Sequence, residues 1–531
     1  MRVSGLLCLI SLGVVSSNVY KIAFFVPSWI PSQLIWTVRV AEELAKAGHK
    51  ITIIGIREAE STIKTPVIEE IEQWHVDAFV LNLTEFESRK SRLIYKEMSI
   101  LDPDMREFFS MATGSLNKGC ELVLQNKTFI DRLKAAKFDL AFNHMGQLCG
   151  VGLTRLANIP TWIWLSSGQL VDHMAEYIGV PSPPSYVPTL FSDSSDEMSF
   201  TERLKVLIGR VIIRLVVEKI SMNPHTELFR KYVDPNFPDL IDLVQACPLV
   251  MVNSNEMYNF ARPTLHKIIY IGGLGMTIKS AKPLTGDFKS IVDNAKQVAV
   301  MTFGSHANSS AMPEKWKNAF LDAFRKFPDV QFIVRYTTKD LDGKTPPNVH
   351  LKPWIPQTDL LLNRKTVLLI THGGYNSVQE AIAAGVPMVT IPLFGDQFGN
   401  ARLVVKHGCA SSIKKKDVST ETITKALQTV LSNPSYKKNA IRMRDMLLKK
   451  PSQPDRLLVE WTEFLAEFQQ LPNLVPYGVN LNFIQYNCID VIAFLATVAI
   501  VIIVITAKIL KLIARLIIRK FIRKDAKKKS E

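Results

Sequence analysis

Between Trp354 and Gln397 the chain sets out, in order, an aromatic ring, several hydrogen-bonding side chains, paired glycines and a helix start. Thr371-His372-Gly373-Gly374-Tyr375-Asn376-Ser377 follows the apolar run Val367-Leu368-Leu369-Ile370 and opens a helix predicted over 376–384, closed by Gly385. A strand that ends in His-Gly-Gly before a helix turns backbone N–H groups and the positive helix end toward an anion. Paired glycines such as Gly373 and Gly374 let the backbone come close to a diphosphate. Trp354 offers a flat face to a base, while Gln357 and Glu380 have the donors and acceptors that ribose hydroxyls need. Asp396 and Gln397, at the end of a second strand-like run over 388–393, are placed for sugar hydroxyls. A lone His-Gly-Gly is usually a turn and a lone tryptophan usually core. The whole series in this order argues for a nucleotide-sugar site.

These residues need a scaffold, and the remaining pattern supplies an α/β one. A strand over 21–26, a helix over 34–47, the closing Gly48-His49 and a strand over 51–56 form a βαβ unit. Further strands are expected at 140–142, 161–165 and 249–253, and a second α/β domain begins near Gln297 with strands at 299–303 and 331–335. The Pro-rich segment 180–188 and the polar segment 192–199 read as a loop, which the family resemblance described below places over the acceptor side. Residues 271–287, containing Gly, Lys and Pro, read as the connection between the halves.

The ends of the chain are apolar. At 531 residues it exceeds one ordinary core, and 47% hydrophobic with 21% charged residues is globular with a membrane contribution. Residues 1–17, with Arg2 and the apolar run 6–15, read as a signal peptide. Residues 489–507 read as a membrane-spanning helix, extended by an amphipathic stretch at 509–518. About half of the net charge of +15 lies beyond it, with ten Lys or Arg in residues 508–531 against Asp525 and Glu531. Basic residues at helical spacing there suit anionic headgroups on the cytoplasmic side, and no interleaved aromatics suggest nucleic acid. Signal peptide and late anchor together give a single-pass type I topology with the bulk of the chain lumenal. Lys528 and Lys529 match a dilysine retrieval signal, pointing to the endoplasmic reticulum. The sequons at Asn82 and Asn126 are candidate glycosylation sites, and the one at Asn308 lies close to the donor site. Cys120, Cys149, Cys247 and Cys409 can pair, and their spacing selects no pairing.

The stretch from Trp354 to Gln397 resembles the signature of the UDP-glycosyltransferases, the family that includes the UDP-glucuronosyltransferases, and the resemblance extends over nearly the whole chain. It implies the GT-B architecture, two Rossmann-like domains facing a cleft, here with a C-terminal transmembrane helix. The expected organisation is an acceptor domain over 18–275, a linker over 276–296, a UDP-sugar domain over 297–460, a helical return over 461–488, the span, and the tail. The resemblance further implies inverting hexosyl transfer without metal or other cofactor, the UDP-sugar being a co-substrate. His372, Asn376, Ser377 and Ser305 take the phosphate side, and small lipophilic molecules are the acceptors. Asp102-Pro103-Asp104 has the spacing of a metal-binding Asp-x-Asp but lies in a helical region. Arg262 falls where the glucuronosyl branch has an Arg-Pro, with Arg335 a second candidate for the sugar carboxylate, so UDP-glucuronate is favoured over UDP-glucose.

One pair departs from the family. Counting back from Gly48-His49, the family's basic histidine falls on Gln33, and its partner aspartate falls on His144. Three readings follow. His144 is itself the base with Gln33 orienting; or the acceptors are amines that need no base; or the chain is a non-catalytic UDP-sugar binder acting through association with active paralogues. Trp36, Trp162, Trp164 and Tyr186 are candidate acceptor contacts or core.

Overall fold

The computed structural model describes residues 18–27, 31–59, 68–97, 102–145, 148–189, 192–275, 282–304 and 307–528. The expected signal peptide, Ser305, Lys529 and part of the expected linker lie outside these residues.

A compact unit up to Val475 contains two parallel sheets. The first has strands β1 (Lys21–Pro27), β2 (Lys50–Arg57), β3 (Ile71–Asp77), β4 (Leu140–His144), β5 (Thr161–Ser166), β6 (Leu249–Val252) and β7 (Ile268–Tyr270), in the order β3-β2-β1-β4-β5-β6-β7. Its helices are α1 (Pro31–Lys46), α2 (Leu83–Ile94), α3 (Pro103–Gln125), α4 (Lys127–Ala136), α5 (Leu148–Leu156), α6 (Asp172–Tyr177), α7 (Phe200–Val217), α8 (Asn223–Tyr232) and α9 (Leu240–Gln245). β1 is apolar at nearly every position because both faces of a parallel sheet are covered. Ile22, Phe24 and Val26 face one core with Trp36, Val40 and Leu44 of α1, whereas Ala23 and Phe25 face the other. Trp36 and Trp164 are fully buried core residues.

The second sheet has strands β8 (Gln297–Thr302), β9 (Val330–Arg335), β10 (Val349–Lys352), β11 (Thr366–Thr371), β12 (Met388–Thr390) and β13 (Ala410–Ser412), in the order β10-β9-β8-β11-β12-β13. Its helices are α10 (Gly286–Asn294), α11 (Glu314–Arg325), α12 (Gln357–Leu361), α13 (Tyr375–Ala384), α14 (Gln397–Lys406), α15 (Thr420–Ser432) and α16 (Pro434–Leu448). α10 occupies part of the expected linker and buries Val292 in this half's core. β12 stops before Pro392, which has no N–H for a ladder.

Each half also supplies residues to the other's core. Ile94 and Tyr95, at the end of α2, are buried with Met301, Phe303 and Trp316 of the second half. α17 (Pro454–Phe468), which follows the second half, buries Leu458 and Leu465 against β1 and α1 of the first. Burying a leucine side chain contributes about 1.5–3 kcal/mol.

The second unit starts at Pro476 and contains α18 (Phe483–Tyr486) and α19 (Ile489–Lys528). Within α19, Ile489–Ile522 is long and apolar enough to cross a membrane. The helix runs without a break through the expected end of the span at residue 507.

Cys120 of α3 and Cys149 of α5 form a disulfide, and Cys247 and Cys409 are free and buried. The bridge closes a loop with a sequence separation of 29, which on the chain-entropy account stabilises the fold by about 3–4 kcal/mol. Cys120→Ser is expected to lower the unfolding free energy by that amount, read as a fall in the denaturant midpoint, and thiol reductant is expected to do the same to the unaltered chain. An unchanged midpoint in both would show that the bridge does not form.

Candidate active site

The strand carrying Val367 to Ile370 leaves the second sheet at His372, and Gly373 turns the chain at φ +82° into α13. The Gly374 N–H points at His372 Nδ1 (3.5 Å), which puts the ring proton on Nε2. Two glycines make room for that ring. A Cβ on Gly374 would lie 2.6 Å from His372 Cε1, and one on Gly304, at φ +72°, would lie 2.8 Å from the same atom. Arg335 Nη1 donates to the Gly304 carbonyl (2.8 Å) and so fixes the turn after β8 against the imidazole. Asn376 and Ser377 lie in the first turn of α13, where unpaired N–H groups and the helix dipole favour an anion.

Trp354 is 64% exposed, with the Arg335 guanidinium 4.8 Å from its ring centre. Arg335 thus lies against Trp354, and burial lowers its pKa. Gln357 Nε2 donates to Glu380 Oε2 (2.7 Å) and Ser377 Oγ (3.2 Å). From the other half, Arg39 Nη2 reaches Glu380 Oε1 at 3.4 Å.

Farther along, Asp396 accepts from Asn400 Nδ2 (2.7 Å), and burial raises its pKa. Gln397 Oε1 accepts the N–H groups of Leu393 and Phe394, which leaves its Nε2 as donor. Gln169 of the first half donates to Asn400 Oδ1 (2.8 Å), and Asn253 donates to Asn376 Oδ1 (3.2 Å). Apart from Gly373 and Leu393, these residues of the second half line one cavity of about 950 Å³, shared with the first half.

The opposite wall carries Gln33, Ile35 and Arg39 of α1, Phe86, Phe108 and Phe109, Met145, residues 166–174, Tyr186 to Thr189, and Arg262. The loop expected over the acceptor side is thus part of this wall, and its continuation is held to α14 by Arg402–Asp193 and Lys406–Asp196 ion pairs. Arg262 donates to the Leu170 carbonyl (3.2 Å) and to Ser182 Oγ, and its Nε is buried without a partner. Burial lowers the Arg262 pKa.

His144 does not share that wall. It is 2% exposed beneath α1, with Nε2 2.7 Å from Thr37 Oγ1. Thr37 donates its hydroxyl proton to the Gln33 carbonyl (2.9 Å), so it receives from His144, whose Nε2 carries the proton. The remaining Nδ1 is buried and unpartnered. The expected pair is therefore stacked in depth: Gln33 on the cavity and His144 behind Thr37, with no direct path to an acceptor.

Asn82 and Asn126 are exposed, and each caps a helix through its side-chain oxygen. Asn308 is exposed and accepts from Ser310 N and Thr337 Oγ1 near the Gly304 turn. Asp102 caps α3 by accepting from Asp104 N, which accounts for that motif. The sequence reading did not single out Arg39, Asp172, His173, the phenylalanines, Gln169 or Asn400. Only Asn400, one helical turn beyond Asp396, had a local signal.

Gly374→Ala is expected to push the His372 ring aside and weaken UDP binding by about tenfold or more, about 1.4 kcal/mol. Gly399→Ala, where a Cβ meets nothing within 4 Å on the same cavity, is expected to leave binding unchanged. Calorimetric titration of UDP compares the two. A second expectation concerns His144, whose pKa burial pushes down from 6.5 to about 4. The unfolded chain binds this proton first, so the contribution is complete above pH 6.5 and is lost as pH falls toward 4. Wild type is expected to lose about 1–2 kcal/mol more than His144→Asn between pH 7 and pH 5, read from denaturant midpoints.

The sequence pattern of the UDP-glucoronosyl and UDP-glucosyl transferase family matches residues 28–528. UDP-glucuronosyltransferase 2C1 of Oryctolagus cuniculus is 31% identical over 481 residues, covering 88% of this chain and 93% of the relative. UDP-glucuronosyltransferase 2B17 of Mus musculus is 32% identical over 418 residues, covering 78% and 76%. Among solved structures, the calicheamicin glycosyltransferase CalG4 superposes with a TM-score of 0.56 at 17% identity, covering 84% of this chain and 98% of that one. The glycotransferase of kitacinnamycin superposes with a TM-score of 0.55 at 18% identity, covering 86% and 100%. The fold is therefore GT-B, two α/β halves on a common cleft, and with that fold and the family pattern the chain belongs to the UDP-glycosyltransferases, enzymes that transfer a glycosyl group from a UDP-sugar.

Proposed function

We propose that the chain is an inverting, metal-independent UDP-glucuronosyltransferase that conjugates small lipophilic acceptors. The observation that carries this reading is the composition of the two cavity walls. One gathers the α13 N-terminus, His372, Gln357, Glu380 and Asp396; the other sets an aromatic and aliphatic patch of Ile35, Phe86, Phe108, Phe109, Met145 and Tyr186 beside polar groups such as Arg39, Asp172 and His173. Trp354 stacks the uracil, Gln357 and Glu380 hold the ribose, and the α13 N-terminus with the His372 Nε2–H takes the charge of the leaving diphosphate. Asp396 and Gln397 hold sugar hydroxyls. Ile35, Phe86, Phe109 and Tyr186 exclude water from the acceptor. Arg262, with its unpartnered Nε, and the names of the relatives support glucuronate over glucose.

The apolar segment of α19 supports a single anchor, and the Cys120–Cys149 bridge suits an oxidising lumen. With the signal peptide, exposed Asn82 and Asn126, and the dilysine signal, they support a type I glycoprotein of the endoplasmic reticulum with both halves lumenal. Gln33 in the family's base position favours a second reading, a UDP-sugar binder that transfers nothing and pairs with active paralogues.

The test is UDP release by the detergent-purified full chain, given UDP-glucuronate or UDP-glucose with phenol, alcohol and amine acceptors. Acceptor-dependent release with UDP-glucuronate preferred is the expected result, and Arg262→Met is expected to erase the preference. Because Arg262 also holds the Leu170 carbonyl, only the ratio between donors is diagnostic. UDP binding without release to any acceptor would establish the binder instead.

A further inference from the structure

Deprotonation of a hydroxyl acceptor needs a base on the first half's wall, since the second half holds the leaving group. Gln33 cannot accept a proton usefully, and His144 is turned inward to Thr37. Two histidines line the cavity among the described residues: His372 on the donor wall and His173 on the acceptor wall.

His173 sits at the start of α6, after a loop whose carbonyls are held one after another. Asn253 Nδ2 donates to the carbonyl of Ser167, Ser166 Oγ lies 3.2 and 3.1 Å from those of Gly168 and Gln169, and Arg262 donates to that of Leu170. The Gln169 side chain is bonded to Asn400, which itself donates to Asp396. The segment leading to His173 is thus fastened to the residue that would hold the donor sugar. The ring is 7% exposed, and its Nδ1 is buried, lacks a hydrogen-bond partner and lies 4.0 Å from Asp172 Oδ1. A proton on Nδ1 facing that carboxylate leaves the Nε2 lone pair for a cavity ligand. At 4.0 Å the two are not hydrogen-bonded, but the carboxylate stands on the side of the ring from which an acid orients an imidazole base.

We propose that His173, oriented by Asp172, is the catalytic base of this enzyme for hydroxyl acceptors, replacing the side chain missing at Gln33. The assignment rests on the transferase reading above. The acceptor O–H proton passes to His173 Nε2 as the oxygen attacks C1 of the sugar. The C1–O bond to the β-phosphate breaks with its electron pair going to UDP, and the imidazolium then returns its proton to water. Asp172 stabilises that imidazolium. Burial lowers the His173 pKa and the Asp172 charge opposes this. The other charged groups around it are Glu176 on α6, Arg210 and Arg214 on α7, and Arg262 with Tyr270 near β7, while Arg39 and Lys90 lie on the same cavity.

The test uses the full chain in detergent with its preferred UDP-sugar, an aliphatic alcohol acceptor that does not itself ionise in the working range, and an aromatic amine. His173→Ala is expected to lower kcat for the alcohol by about 10²- to 10⁴-fold, with the UDP-sugar KM and amine transfer little changed. The acid limb of the pH–rate profile is expected to vanish, and added imidazole to restore part of the alcohol turnover. His173→Gln, close in size, serves if the alanine variant loses UDP binding, and His144→Ala is expected to keep the wild-type pH profile. Alcohol turnover close to wild type in both His173 variants, or loss of the acid limb in His144→Ala instead, would overturn the assignment while leaving the transferase reading intact. A wild-type chain that binds UDP and transfers to no acceptor would overturn both.

Discussion

The exchange of buried residues between the halves is the constraint on which the cleft depends. Tyr95 of the first half stacks edge-on against Trp316 of the second and donates its hydroxyl to the Asn308 carbonyl (2.9 Å). Lys415 of the second half caps the end of α2 by donating to the Ile94 and Lys96 carbonyls, and burial pushes its pKa down to about 8. On the return path, His49 accepts the Tyr20 N–H at Nδ1, so its Nε2–H faces Glu463 of α17 at 3.3 Å. Neither half can withdraw without exposing apolar surface and leaving polar groups unpaired, a cost of about 1–3 kcal/mol for each unpaired group. The cavity is therefore a built space between two docked sheets.

That docking explains why the donor wall arrives already paired. Glu380 is met by Gln357 and by Arg39 from across the cleft, Asn376 by Asn253, and Asp396 by Asn400 with Gln169 behind it. A ligand entering here meets side chains that already have protein partners, and the net gain of each exchanged bond is modest. What the pairs contribute is position. Side chains held by neighbours lose little freedom when a ligand takes over, which is the advantage of preorganisation. The His372 ring follows the same logic by steric means, being confined between Gly304 and Gly374.

The donor wall was legible in the sequence because it is local. Trp354, Gln357, His372 to Ser377, Glu380, Asp396 and Gln397 come from one stretch, and the strands and helix beneath them follow from apolar periodicity. The opposite wall was legible only in part: Gln33, Tyr186 and Arg262 stood out in the sequence, whereas Phe86, Phe108, Met145 and His173 are brought to the cavity by topology alone. The edge strands β3, β7, β10 and β13 were missed for a related reason: three are only three or four residues long, and β3 (Ile71–Asp77) alternates buried and exposed residues without a long apolar run. His144 shows where counting fails. Spacing located it at the end of β4, yet in a strand of period two it shares the face of Leu140 and Phe142, which pack toward α1, so its ring ends beneath Thr37.

The same topology loosens the link between the reaction and any single element of the acceptor half. In the order β1-β4-β5 three parallel strands lie side by side, and their carboxyl ends deliver Gln33, Met145 and the loop to His173 to one cavity. Ligands of open α/β sheets gather outside those ends. The proposed inverting transfer would demand only a proton acceptor opposite the diphosphate, and all three connections reach the cavity. Which connection carries it depends on local satisfaction of polar groups. After β4 the imidazole is consumed by Thr37, and after β1 the side chain is an amide. After β5 a carboxylate and an imidazole stand together on a loop whose carbonyls are already held. On the proposed assignment the fold sets the direction from which the proton is taken and leaves the choice of side chain to whichever strand end brings a basic nitrogen to the cavity.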